Sequence, residues 1–218
     1  MLIDNAPKTV SKEVAKYLLE IEAIKLNKEN PFTWASGWKS PIYCDNRKSL
    51  SYPEARSFIK KQLSDVIKNK YPEVEVIAGV ATAGIPQGAL VADELGLPFI
   101  YVRSKPKGHG MENLIEGELK PGAKVVVIED LVSTGGSSLK AVTDIKSSGG
   151  VVLGMAAIFT YGFDVATENF QNTETKLITL SNYSDMLEVA MEMNYVSSID
   201  QDSLSDWRKD PASWSPVS

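Results

Sequence analysis

From residue 74 onward the chain alternates short, nearly unbroken apolar runs with helix-like segments. Val74–Val80, Phe99–Arg103, Lys124–Asp130 and Val151–Tyr161 read as strands. Ile85–Leu95, closed by Gly96, and Ser137–Ser148, closed by Gly149-Gly150, read as helices between them. Strands so uniformly apolar are buried on both faces, as in a parallel sheet covered by helices. The pattern predicts an α/β chain with a doubly wound, mostly parallel sheet flanked by helices. A strand at Lys176–Leu180 and helices near 183–194 and 200–209 follow, and the tail from Asp210 reads as loose.

Two helical patterns precede this core. Residues 8–25 carry Val10, Val14, Tyr17, Leu18, Ile21 and Ile24 at helical spacing, and 53–70 follow suit behind Pro53. Between them, 30–53 holds three prolines and two tryptophans and reads as a loop-and-strand excursion.

Composition narrows the chemistry. The 218 residues are 43% apolar and 23% charged, enough to bury a sizeable core. No run of 18 apolar residues suits a membrane helix, and the N-terminus lacks the apolar core of a signal peptide. One cysteine, Cys44, excludes an internal disulfide framework and a Cys-based zinc site. One histidine, His109, excludes a multi-His metal centre. A cytoplasmic enzyme or binding protein is expected. The net charge of −5 is uneven, with 13 Lys/Arg against 8 Asp/Glu in residues 1–70 and 10 against 20 thereafter. An acidic main domain argues against nucleic acid as partner. The asymmetry fits a small anionic ligand, a complementary subunit contact, or simply two differently solvated surfaces.

Ligands of open α/β sheets bind beyond the carboxyl ends of the strands. The informative segment there is Val125–Ser137, VVVIEDLVSTGGS. Its strand delivers Glu129 and Asp130 to the strand end, and Leu131, Val132, Ser133, Thr134, Gly135 and Gly136 lead into a helix at Ser137. The glycines let backbone approach a ligand, and loop amides with a helix N-terminus cradle a phosphate. No lysine follows the glycines, so this is not a Walker A loop, and GxGxxG is absent. Two carboxylates beside a phosphate make sense if they bind sugar hydroxyls on the far side of the ligand. That describes a ribose 5-phosphate.

Two further segments carry candidates. In Tyr101–Gly117, Arg103, Lys105, Lys107 and His109 alternate, so an extended chain presents them on one face to an anion. Gly108 and Gly110 suit a loop that closes over a ligand; the plainer reading is a solvated surface loop. In Phe32–Arg47, Lys39 stands before Ser-Pro, and Trp34, Trp38 and Tyr43 suit a lid over a planar base. A core-packing hairpin with a surface lysine is the plainer reading there.

Taken together these segments resemble orotate phosphoribosyltransferases, of the type I phosphoribosyltransferase family. VVVIEDLVSTGGS is similar to the family's phosphoribosyl pyrophosphate (PRPP) motif, SGWKSP (36–41) to its SGxKSP segment, and RSKPKGHG (103–110) to its flexible loop. AGVATAGIPQGALVAD (78–93) resembles a unit supplying a second backbone anion loop, and WRKDP (207–211) the end of one branch. Two departures stand out. Ala83 occupies a position where some members carry lysine, and FTYGF (159–163) lacks an arginine that contacts the orotate carboxylate in some members.

The resemblance implies a single phosphoribosyltransferase domain over 1–218. Helices and a small hood would occupy about 1–70, the PRPP-binding core 71–165, and a C-terminal strand and helices 166–218. It implies transfer of the phosphoribosyl group from PRPP to orotate in pyrimidine (UMP) biosynthesis. Lys39, Arg103, Lys107 and His109 would stabilise the leaving pyrophosphate, with Mg2+ held through PRPP and no direct protein ligand. Glu129 and Asp130 would hold the ribose, Leu131–Ser137 the 5-phosphate, and Ser133 and Lys39 orotate. A homodimer is implied, its loop 104–117 reaching the neighbouring subunit's site. Transfer to another base, and a non-catalytic PRPP-sensing regulator, stay open as rival readings.

Overall fold

The computed structural model describes residues 2–27, 30–34, 37–105 and 114–214. The N-terminal part comprises β1 (Ile3–Asn5), α1 (Lys8–Glu20), β2 (Ile24–Leu26), β3 (Phe32–Thr33), β4 (Lys39–Ser40), β5 (Ile42–Cys44), a 3-10 turn (Asn46–Ser51) and α2 (Pro53–Lys70). The core follows as β6 (Val76–Val80), α3 (Gly84–Leu95), β7 (Phe99–Val102), β8 (Ile115–Glu116), β9 (Lys124–Val132), α4 (Gly136–Ser147) and β10 (Val151–Thr160). Then come α5 (Asp164–Asn172), β11 (Leu177–Asn182), α6 (Tyr183–Glu192) and α7 (Ser198–Lys209).

One seven-stranded sheet has the order β1-β11-β10-β9-β6-β7-β8, parallel throughout except where β8 returns antiparallel to β7. The chain steps outward from β6 to β7, crosses back to β9, and then builds in the other direction through β10 and β11. The reversal lies between β6 and β9, so the crevice at their carboxyl ends is where such a sheet receives ligands.

Both faces of the sheet are covered, and β9 shows why its run is unbroken. Val126 and Ile128 enter the core beneath α1, α2 and α3, whereas Val125 and Val127 enter the core beneath α4 and α5. All four are fully buried, each contributing about 1.5–3 kcal/mol relative to exposure. The hood consists of two antiparallel ribbons, β2 with β5 and β3 with β4.

The helix expected over 8–25 stops at Glu20. Glu22 takes a left-handed conformation (φ 52°), and Ile24 enters β2 opposite Cys44. Ile21 and Ile24 still reach the core, so the apolar spacing reports their burial rather than one continuous helix. β9 runs on through Val132, two residues past the expected end, because it pairs with β10 as far as Thr160. The short strands β1 and β8 and the helix α5 are not expected from the sequence.

The charge asymmetry is partly spent within the chain. Lys8 lies 2.9 Å from Glu188, and Lys12 lies 3.0 Å from Glu188 and 2.7 Å from Glu192, tying α1 to α6. Ser11 adds a hydrogen bond of 2.5 Å to Asp185.

Candidate active site

The acid pair sits where β9 emerges at the sheet reversal. Glu129 is only 5% exposed; it accepts from the Ser138 hydroxyl at 2.8 Å and from the Asp130 backbone N–H at 3.0 Å. Burial and then the adjacent Asp130 charge push the Glu129 carboxyl well above the usual carboxylate range. Burial also raises Asp130, against the hydrogen bond to Glu129 and the Arg47 guanidinium, which lower it. The pair is thus poised to give or take hydrogen bonds to hydroxyls rather than to carry two full charges.

The loop beyond it is held from below. Gly135 has φ 81°, and an added Cβ there would lie 2.8 Å from the Phe170 ring of α5. Asn169, also on α5, donates to the Thr134 carbonyl at 2.9 Å. Gly136 opens α4 on the exposed side with no side chain capping the helix, so the first-turn amides are free to meet an anion. Leu131 and Val132 belong to the strand rather than to the expected loop. Val132 is fully buried, and its carbonyl accepts from the Thr160 hydroxyl at 3.1 Å, so its side chain has no access to a ligand.

Two cavities meet here. One of about 470 Å³ is lined by Thr33, Trp34, Trp38, Tyr43, Cys44, Leu131, Ser133, Thr134 and Tyr161. The other, about 300 Å³, is lined by Cys44, Asp45, Arg47, Val80–Ala83, Glu129, Asp130, Leu131 and Ser137. Cys44 and Leu131 belong to both, so an aromatic chamber adjoins an oxygen-rich one. The second is walled by the turn after β6, which contains a cis Ala81–Thr82 peptide. It is also where α3 closes on β9: an added Cβ at Gly84 would lie 2.5 Å from the Ile128 carbonyl oxygen.

The hood supplies the aromatic chamber. Trp34 donates to the Ile42 carbonyl at 3.2 Å and stands 5.0 Å from the Tyr161 ring, centroid to centroid. The Trp34 and Trp38 rings are stacked, with centroids 6.4 Å apart. The Lys39 ammonium donates to the Thr33 hydroxyl at 2.8 Å, which places it at the chamber's rim. Burial, followed by the charges of Asp130 and Asp45, pushes the Cys44 thiol up, so it is a neutral wall of the site.

Glu129, Asp130, Ser133, Thr134 and Ser137 are therefore brought together as the sequence predicts, with Lys39 outside both linings and tied to the first through Thr33. Arg103 is not: its guanidinium pairs with Glu116 at 3.1 Å, outside both cavities of its own chain. Lys107 and His109 lie outside the described residues. Tyr161, Asn169 and Trp207 carry no sequence signal of a place at the site. Only the WRKDP run marks Trp207, without indicating its contact with the hood. Among the described residues no group of three or more His, Cys, Asp or Glu side chains could hold a metal. The oxygen donors of the smaller cavity suit a hard cation shared with a phosphate-bearing ligand.

A family model described as a phosphoribosyl transferase domain matches residues 48–184. The orotate phosphoribosyltransferase of Phocaeicola vulgatus is 61% identical over 207 residues, covering 95% of this chain and 98% of that protein. That of Listeria innocua is 55% identical over 206 residues, covering 94% and 99%. Among solved structures, orotate phosphoribosyltransferase from Aeropyrum pernix matches with TM-score 0.73 at 27% identity, covering 84% of this chain and 99% of that one. Leishmania donovani UMP synthase matches with TM-score 0.76 at 27% identity, covering 92% of this chain and 43% of that one.

Proposed function

The chain belongs to the orotate phosphoribosyltransferases of the phosphoribosyltransferase family, and from that premise we infer that it transfers the 5-phosphoribosyl group of PRPP to orotate. The products are orotidine 5′-monophosphate and pyrophosphate, as pyrimidine biosynthesis requires. The observation that carries the reading in the molecule itself is the junction of the aromatic chamber with the acidic one at Cys44 and Leu131. A base in the first and a ribose in the second meet at the bond to be made.

Orotate is sandwiched among Trp34, Trp38, Tyr43 and Tyr161, with Ser133 at its edge. Lys39, at the rim, faces the charge of the orotate carboxylate and the leaving pyrophosphate; no arginine follows β10 to do so. Glu129 and Asp130 hold the ribose hydroxyls. The 5-phosphate rests on the Ser133–Ser137 amides and hydroxyls. Breaking the bond between C1 and the diphosphate leaves an oxocarbenium-like ribose, so catalysis is mainly positioning and charge stabilisation. Arg103, Lys107 and His109 stabilise the departing pyrophosphate, and closure of the 104–117 loop excludes water. Glu129 and Asp130 would lie beside Mg2+ carried in by PRPP, which would supply neutralisation of the diphosphate charge.

The enzyme acts as a homodimer whose 104–117 loop serves the neighbouring site. The position of Arg103 outside its own chain's cavities supports this arrangement. The place of work proposed is the cytoplasm, where pyrimidine biosynthesis would use the product; no helix among the described residues is long and apolar enough to cross a membrane. Neither a different base nor a catalytically silent PRPP sensor gains an observation in its favour. The test is incubation with PRPP, Mg2+ and either orotate or a purine base. Loss of orotate absorbance identifies the transferase; PRPP binding without turnover identifies the sensor and contradicts the assignment.

A further inference from the structure

The smaller cavity is lined by three carboxylates, Asp45, Glu129 and Asp130. A diphosphate entering it meets carboxyl oxygens on several sides. Among the described residues that line it, Arg47 is the only cation, and Ala83 on the facing wall brings no charge.

Arg47 is built into place. Asp45 takes its Nε–H at 2.6 Å and one Nη2–H at 3.0 Å as a fork, and also accepts from its backbone N–H at 3.2 Å. The turn that carries it is anchored to the acid pair, because buried Asn46 donates to the Asp130 carbonyl at 2.6 Å. Behind it, Ser49 donates to the Asn46 carbonyl at 2.6 Å, and Gln87 of α3 donates to the Ser49 hydroxyl at 3.2 Å. The fork to Asp45 occupies one edge of the guanidinium. Nη1 and the second hydrogen of Nη2 stay available on the other edge, the planar arrangement suited to phosphate oxygens.

We propose that Arg47 is a diphosphate-binding residue, the contact to the pyrophosphate group of PRPP that the chain bearing the acid pair itself supplies. The proposal rests on the reading of this site as a PRPP site. It gives the sheet-reversal crevice a fixed positive contact that does not depend on the 104–117 loop. Asp45 is the positioning partner that keeps the guanidinium turned toward the cavity.

The test uses the purified full chain and magnesium pyrophosphate, titrated calorimetrically, beside steady-state kinetics. Arg47→Gln is expected to weaken pyrophosphate binding at least tenfold and raise the KM for PRPP at least tenfold, with the KM for orotate within twofold and Tm unchanged. Arg47→Lys should recover part of the binding, since it restores charge without the fork. Pyrophosphate affinity and PRPP KM within twofold of the parent would overturn the proposal. So would equal rises in both KM values with a lowered Tm, which would make Arg47 a hood scaffold. Failure of the parent protein to consume orotate would overturn the assignment of the reaction, while pyrophosphate titration would still decide the role of Arg47.

Discussion

The indole N–H of Trp207 donates to the backbone carbonyl of Lys39 at 3.2 Å, joining the last helix to the hood across 168 positions of sequence. Trp207 is fully buried, and its ring meets Trp34 edge-on at 5.6 Å and Tyr161 edge-on at 5.7 Å. It also packs against Phe163 and Tyr183, each with centroids 5.5 Å away. Helix α7 therefore sets both the wall of the aromatic chamber and the strand that carries Lys39.

Trp207→Phe keeps most of that packing but removes the N–H. It should raise the KM for orotate several-fold while the KM for PRPP stays within twofold. Trp207→Ala should cost about 3–5 kcal/mol of stability. Steady-state kinetics with both substrates varied, beside thermal melts, check the pair; equal rises in the two KM values for the phenylalanine variant would contradict the assignment.

Glu129 has a functional position that is costly to the empty protein. Its carboxyl is raised in the fold, so the folded state holds a proton that the unfolded chain has already lost above the ordinary glutamate range. Stability from this group is full at low pH and falls as pH rises through its raised titration. Glu129→Gln should therefore stabilise the ligand-free protein at neutral to mildly alkaline pH, by an amount on the order of 1–3 kcal/mol. The gain should vanish toward pH 4, and PRPP affinity should drop. Chemical denaturation at several pH values measures this; a variant less stable than its parent at pH 8 would refute it.

The proposed exchange of the 104–117 loop between subunits predicts that inactive variants complement each other. Lys107→Ala alone should slow the chemical step about a hundredfold or more. Glu129→Gln with Asp130→Asn removes the proposed ribose contacts of the other half-site. Co-refolding equal amounts of the two should restore about a quarter of parental activity, since half the dimers are mixed and each holds one intact site. Mixtures no more active than their components would show that each chain serves its own site.

Gly84 is where α3 meets β9 with no room for a side chain. Gly84→Ala places a methyl group against the Ile128 carbonyl, a backbone atom that cannot swing away. The variant should lose about 1–3 kcal/mol of stability. Because Ala83 and Glu129 line the same cavity, PRPP binding should weaken with it. Denaturant titration and a PRPP binding isotherm separate the two effects.

The parallel core and the loop after β9 are legible in the sequence because their signals are local. An apolar run ending in two acids, two hydroxyls and two glycines declares its own strand, turn and helix start. What stays hidden depends on partners far along the chain. β1 is three residues long and exists because Ile3 pairs with Leu177. α5 buries only Ala166 and Phe170, too few to print a helical period, yet Phe170 and Asn169 support the loop after β9. The acidic end of the charge profile gains a role only where Glu188 and Glu192 meet Lys8 and Lys12. Arg103 reads with the site because Lys105, Lys107 and His109 follow it at alternate positions, whereas β8 turns it toward Glu116.

The most direct test of the account is the release of pyrophosphate from PRPP and Mg2+ in the presence of orotate, uracil, adenine or hypoxanthine in turn. A charge-assisted contact to the carboxylate is worth about 1.5–3 kcal/mol, or roughly ten- to a hundredfold. Orotate should therefore support turnover, with kcat/KM exceeding that of uracil by at least about tenfold and with no measurable transfer to either purine. Turnover of a purine base at a rate equal to or above that of orotate would contradict the assignment of the aromatic chamber and of Lys39 at its rim.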